Sequence, residues 1–262
     1  MFQYMPIECV EISGSFACEN KSIITSEEHV LRGLYMEHNL GYWLTRNILR
    51  ICFKLCIKIE VEGLDYLKCP GPCLIVLNHL SLIDLPLLSI FFPRRGWAVV
   101  ADNYRNHLLF GPILRLIGVI FVKRGEVDRR AIRKILEVLK NGGAVGIHPE
   151  GTRSKTGQMQ KAKDGIAYLA YHSRATIIPV GITGTEKVID SIKTFKRPLV
   201  RLIVGQPFRH PDYDSSKKCS QYSDYTDLIM KRLANLLPES YRGFYQVDSP
   251  SISTGDSSEM LI

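Results

Sequence analysis

Between residues 41 and 59 apolar side chains crowd the chain: Trp43, Leu44, Ile48, Leu49, Ile51, Phe53, Leu55, Ile57 and Ile59. Arg46, Arg50, Lys54 and Lys58 recur among them at every fourth position. In a helix that spacing gathers the four cations on one slowly drifting stripe, beside a wide apolar side that includes Tyr42 and Trp43. A bilayer centre does not suit such a segment. The membrane interface does, with the apolar side down and the cations among phosphates. A surface helix packed on its own domain with a solvated basic edge fits the same pattern. Residues 74–92 are apolar enough to resemble a span, but Asn78, His79, Ser81, Asp84 and Pro86 interrupt them. They divide better into a strand over 73–77, a polar turn, and a helix from about Leu85. Residues 107–122 contain Gly111-Pro112 and Arg115 and read as a helix followed by a strand over 119–122.

Further on, the pattern alternates. Strands are expected over 97–100, 144–147, 177–182 and 200–204, and helices over 127–139, 161–172 and 225–237. Asn141-Gly142-Gly143 closes the first of these helices. Strands interleaved with helices predict one α/β domain whose mixed, largely parallel sheet is flanked by helices. The expected organisation is a partly flexible lead-in over 1–35, the amphipathic membrane-interfacial helix over 36–60, the α/β domain over 61–245, and a disordered Ser-rich tail over 246–262.

Composition narrows this. At 262 residues the chain has room for one substantial domain and little for a second. The net charge of +8 calls for an anionic partner: nucleic acid, anionic headgroups or phosphorylated metabolites. Of the seven cysteines, no two stand in a C-x-x-C spacing, and the pairs Cys52/Cys56 and Cys69/Cys73 lack partners that would complete a zinc site. Reduced thiols facing the cytosol are expected, and no secretory signal is visible.

Four blocks carry candidate chemistry. Asn78-His79-Leu80-Ser81-Leu82-Ile83-Asp84 follows the first core strand. A neutral imidazole such as His79 can accept a hydroxyl proton, and Asp84, five residues on, can hold its other nitrogen. Ser81 and Asp84 equally fit a helix start, with Asp84 capping the helix ahead of Pro86. In the second block a strand ends in Lys123-Arg124, at the kind of sheet edge where ligands bind. Both could also be solvated loop charges. The third, His148-Pro149-Glu150-Gly151-Thr152-Arg153-Ser154, is a tight turn in which Gly151 lets backbone amides approach an anion and Arg153 can clasp a phosphate. Glu150 would orient Arg153 or a substrate hydroxyl, and a plain polar turn with a Glu–Arg pair is the other reading. The fourth is an apolar strand around Pro179, which points to an edge, a bulge or a lining wall.

In this order the blocks resemble the glycerolipid acyltransferase family typified by 1-acylglycerol-3-phosphate O-acyltransferase, over roughly residues 43–208. Asn78, His79, Ser81 and Asp84 match its N-H-x-S-x-x-D, Phe121 to Arg124 its second block, and Pro149 through Ser154 its F-P-E-G-T-R-S. His148 stands where the family usually has Phe. The resemblance implies that His79, oriented by Asp84, deprotonates an acceptor hydroxyl as it attacks the thioester of acyl-CoA or acyl carrier protein. Asn78 and Ser81 belong to the same block, Lys123, Arg124 and Arg153 would hold the acceptor phosphate, and Glu150, Gly151 and Thr152 would shape that pocket. The implied product is phosphatidate, with no metal and no cofactor beyond the acyl thioester. The implied setting is an anionic membrane surface at the cytoplasmic face. Another lysolipid acceptor, or a thioesterase with water as acceptor, are the competing enzymes, and a catalytically silent lipid-surface protein is the competing binding module. The absence of G-x-S-x-G favours direct transfer over an acyl-enzyme. No aromatic-basic stacking motif for nucleic acid is present.

Overall fold

The computed structural model describes residues 40–105, 114, 118–125, 127–194, 196–209 and 218–246. The expected lead-in over 1–35, most of the helix from residue 107, and the tail beyond 246 lie outside the described residues.

The first helix, α1 (Leu40–Cys56), delivers the chain to an edge strand, β1 (Lys58–Glu62). The helix was expected to run on to residue 60; it stops because Arg197 donates to the carbonyls of Lys54 (2.6 Å) and Ile57 (2.9 Å), satisfying its last turn from outside. From there Lys58-Ile59-Glu60-Val61-Glu62 alternates charged and apolar residues, the period of a half-buried strand. The chain continues through β2 (Cys73–Leu77), α2 (Asp84–Phe91), β3 (Gly96–Ala101), β4 (Val119–Val122), α3 (Arg129–Lys140) and β5 (Ala144–Ile147). It then forms α4 (Gly165–Ser173), β6 (Thr176–Thr183), α5 (Val188–Lys193), β7 (Leu199–Val204), α6 (Lys218–Ala234) and α7 (Glu239–Arg242). Helix α4 begins four residues later than expected. The amides before it are committed elsewhere: Ala162 N–H donates to the Tyr245 hydroxyl (2.9 Å) and Lys163 N–H to the Pro149 carbonyl (3.0 Å).

The seven strands form one sheet in the order β1-β7-β6-β2-β5-β3-β4. All neighbours run parallel except β6 and β7. Helices cover both faces. Leu74, Val76, Val145 and Ile177 point into a core with α3, α4 and α6, and Cys73, Ile75, Leu77, Ile178 and Val180 into a second core with α1 and α2. Strand β2 is buried at every position, as central parallel strands are. Pro179 sits inside the sheet, not at its edge. Ile177 faces Phe208 while Val180 faces Val204, so the partner carries one extra residue opposite Pro179, a bulge that spares the missing N–H.

Helix α1 docks with part of its cationic stripe turned inward, while its apolar side faces out as the interfacial reading expects. The Arg46 guanidinium is buried and donates to the carbonyls of Ser89 (3.0 Å), Ile90 (3.0 Å) and Phe92 (2.8 Å), and Arg50 donates to Ile90 (2.8 Å). Two of the four cations therefore close the carboxyl end of α2, where orphan carbonyls and the helix dipole favour positive charge. The outward row is apolar: Leu44, Ile48, Ile51 and Leu55 are 58, 52, 60 and 69% exposed. No helix among the described residues is long and apolar enough to cross a membrane.

Candidate active site

Strands β6, β2, β5, β3 and β4 all end at the same edge of the sheet, and each of the first three blocks follows one of these ends. After β2 the side chain of Asn78 clasps β6: its amide donates to the Ile182 carbonyl and accepts from the Ile182 N–H, both at 2.8 Å. Asn78 is buried and spent on that clasp, which sets the direction of the turn bearing His79.

Asp84 is the first residue of α2 and has no exposed surface. Its side chain does not cap the helix it begins. Oδ2 reaches back to accept from the N–H groups of Leu80 (2.9 Å) and Ser81 (2.8 Å) and from His79 Nδ1 (3.1 Å), while Oδ1 accepts from the Thr185 hydroxyl (2.7 Å) at the end of β6. Oδ2 can only accept from His79, so Nδ1 of His79 carries the proton and Nε2 is the nitrogen left to act as base. Ser81 contributes its backbone N–H to Asp84.

The loop after β5 is tied to this turn. Glu150 is buried; Oε1 accepts from His79 N–H (2.9 Å) and Oε2 from Gln160 N–H (2.8 Å), and Ser154 N–H donates to the His79 carbonyl (2.8 Å). Among the described residues no ion pair joins Glu150 to Arg153; Glu150 ties the two loops together through the amides of His79 and Gln160. Burial pushes its carboxyl up to about 7, against the amides of Gln160 and His79, which pull it down. Gly151 has φ +72° and a Cβ there would lie 3.2 Å from Lys163 Cε, so the turn needs glycine and lies under the Lys163 chain. Thr152 and Arg153 are exposed at its tip.

Lys123 and Arg124 follow β4 and line an open hollow with Asp102 and Asn103. They stand three strand positions from β2, about 14 Å at the usual strand spacing. Long cationic side chains can span much of that distance. The edge therefore presents a buried His–Asp pair flanked by exposed cations.

His148 is the feature sequence reasoning left without a role. Its ring stacks on that of His79, with centroids 3.8 Å apart and planes 12° from parallel. Its Nε2 is buried without a hydrogen-bond partner, 3.8 Å from Asp84 Oδ2. His79, Asp84 and His148 thus offer three metal-type ligand atoms in close proximity. A shared ion would sit nearly 2 Å out of each stacked ring plane at a bond length of about 2.0 Å, so these rings do not form a metal centre without turning. Thr185 and Lys163 were also missed; neither lies in a block, and only the folded register brings them close.

A histidine oriented by a buried carboxylate, with cations beside it, is an arrangement able to serve as a general base. Residues 58–183 match the protein-family model described as Acyltransferase. Among its relatives, the chloroplastic 1-acyl-sn-glycerol-3-phosphate acyltransferase LPAT1 of Arabidopsis thaliana is 31% identical over 57% of this chain and 43% of its own length. The 1-acyl-sn-glycerol-3-phosphate acyltransferase of Bacillus subtilis is 22% identical over 74% of this chain and 96% of its own. The crystal structure of PlsC, the 1-acyl-sn-glycerophosphate acyltransferase of Thermotoga maritima, superposes with a TM-score of 0.58 at 25% identity, covering 75% of this chain and 82% of that one. The chain spans about half the length of the plant relatives it matches.

Proposed function

We propose that the protein transfers a fatty acyl group from acyl-CoA or acyl carrier protein to the free hydroxyl of 1-acylglycerol-3-phosphate, forming phosphatidate. The observation that carries this reading is the buried His79–Asp84 pair at the carboxyl edge of the sheet, in a chain whose named relatives act on that acceptor. Nε2 of His79 takes the hydroxyl proton as the oxygen attacks the thioester carbonyl. The resulting imidazolium is stabilised by Asp84. Collapse of the tetrahedral adduct expels the thiolate, and His79 returns the proton to sulfur. The ring of His79 hydrogen-bonds to Asp84 alone, and no hydroxyl or thiol among the described residues is bonded to it, which supports direct transfer over an acyl-enzyme.

In this reading Arg153 holds the acceptor phosphate, with Lys123 and Arg124 reaching in from the end of β4 and Gly151 and Thr152 forming the turn beneath. Asn78, Ser81 and Glu150 fix the two loops. The exposed row on α1 dips into the membrane interface, where acceptor and product reside, with Lys54 and Lys58 beside anionic headgroups at the cytoplasmic face. Replacing Arg153 with Ala tests the acceptor assignment. The KM for lysophosphatidate is expected to rise at least tenfold; unchanged turnover with water as acceptor would make the protein a thioesterase instead.

A further inference from the structure

The His79 ring is enclosed from several sides. Asp84 meets it from the start of α2, His148 from the loop after β5, and Glu150 from the same loop through the His79 backbone. Thr185, from the turn after β6, sits behind Asp84, and Glu186 beside it is engaged by the Tyr241 hydroxyl (2.9 Å). Lys163 lies over Gly151, and Arg153 is exposed at the tip of that turn. Among these groups His148 Nε2 and Glu186 Oε2 are buried polar atoms without a hydrogen-bond partner, and of the two residues His148 is the one stacked on the His79 ring.

We propose that His148 is a positioning residue for the general base: it fixes the plane of the His79 ring by stacking, and it aims an Nε2–H dipole at Asp84 that tempers the carboxylate's hold on the His79 proton. The proposal rests on the assignment of His79 as base. The geometry selects the tautomer. With Nε2 buried 3.8 Å from the carboxylate oxygen, a lone pair there would face negative charge, whereas an N–H faces it favourably. The separation is too long for a fourth hydrogen bond to Oδ2, which already accepts three, so the interaction is one of charge with dipole. Burial first, and the charge of His79 second, hold the His148 ring well below the usual imidazole range. It therefore stays neutral and does not compete for the proton His79 must carry. A phenyl ring could supply the stack but not the dipole. With Phe at this position Asp84 would act on His79 undiminished, and His79 would hold its proton to higher pH.

The test compares wild type, His148→Phe and His148→Gln, each normalised to its own plateau of kcat/KM. His148→Phe is expected to move the acid limb to higher pH by about 0.5–1 unit, the scale of ordinary environmental shifts, lowering kcat/KM below the limb about 3- to 10-fold. His148→Gln, whose amide N–H can reach the same place, is expected to keep the limb near that of wild type. A limb that stays put in His148→Phe, or that moves equally in both variants, would overturn the proposal. Nitrogen-15 spectra of the histidine rings test it without turnover. The His148 ring is expected in the Nε2–H form and not to titrate in the usual imidazole range; an Nδ1–H form, or titration in that range, would refute it even if the acceptor were misassigned.

Discussion

Replacing Asp84 with Asn removes one charge while preserving most of the geometry around it. The amide oxygen takes the place of Oδ2, because the N–H groups of Leu80, Ser81 and His79 all require an acceptor there. The amide nitrogen then faces the Thr185 hydroxyl, which can turn to accept. What is lost is the attraction between a carboxylate and the imidazolium that forms as the acceptor is deprotonated. At a charge separation of about 4 Å and an effective dielectric constant of about 20, that attraction is worth about 4 kcal/mol. At 1.36 kcal/mol per decade, kcat should fall about 10³-fold. The KM for lysophosphatidate should change little, since Asp84 is sealed from solvent and does not reach substrate. The assay is thiol release from palmitoyl-CoA with lysophosphatidate, alongside circular dichroism to confirm the fold. A folded variant retaining kcat within tenfold of wild type would refute the role given to the pair.

Two other consequences are testable. Glu150, pushed up to about 7 in the fold, has an ordinary carboxyl in the unfolded chain, so between these values the native state binds the extra proton. Its contribution is fully present below about pH 4.3 and is lost as pH rises through about 7, by up to ~3 kcal/mol. Glu150→Gln should flatten that part of the stability profile in urea titrations; an unchanged slope would show that Glu150 does not titrate there. Replacing Leu44, Ile48, Ile51 and Leu55 with Ser should weaken sedimentation with anionic vesicles about 10²- to 10³-fold, taking about 1 kcal/mol for each half-exposed side chain. High salt should weaken it far less, because Arg46 and Arg50 are turned inward. Binding that survives the substitutions but vanishes in salt would assign the contact to the cations instead.

The sheet was legible where pattern and context agreed. The run Cys73–Leu77 is apolar throughout and bounded by turn residues, and Ala144–Ile147 lies between Gly143 and Pro149; both strands form as expected. Strand β1 was obscured because its alternation begins inside a segment that also satisfies helical spacing, and what ends the helix is Arg197, about 140 residues away in sequence. The α1 stripe shows the same limit. Spacing placed Arg46 and Arg50 on one face, but only the position of the α2 carboxyl end decided that this face turns inward. At the site, His79 and Asp84 stood out as residue types suited to acid–base work, and their five-residue separation proved compatible with contact. The partners of Glu150, amides at His79 and at Gln160, were not legible, because local spacing pointed to Arg153 and the His79 contact lies 71 positions away. The stack of His148 on His79 joins residues 69 positions apart and has no local signature.

The central claim is acyl transfer to lysophosphatidate, and its most direct test follows both products of one reaction. Purified protein is incubated with palmitoyl-CoA, with and without lysophosphatidate, and free thiol and phosphatidate are quantified together. Thiol released only with the acceptor, and matched mole for mole by phosphatidate, is the predicted result. Equal thiol release without lysophosphatidate, and no phosphatidate with it, would contradict the account.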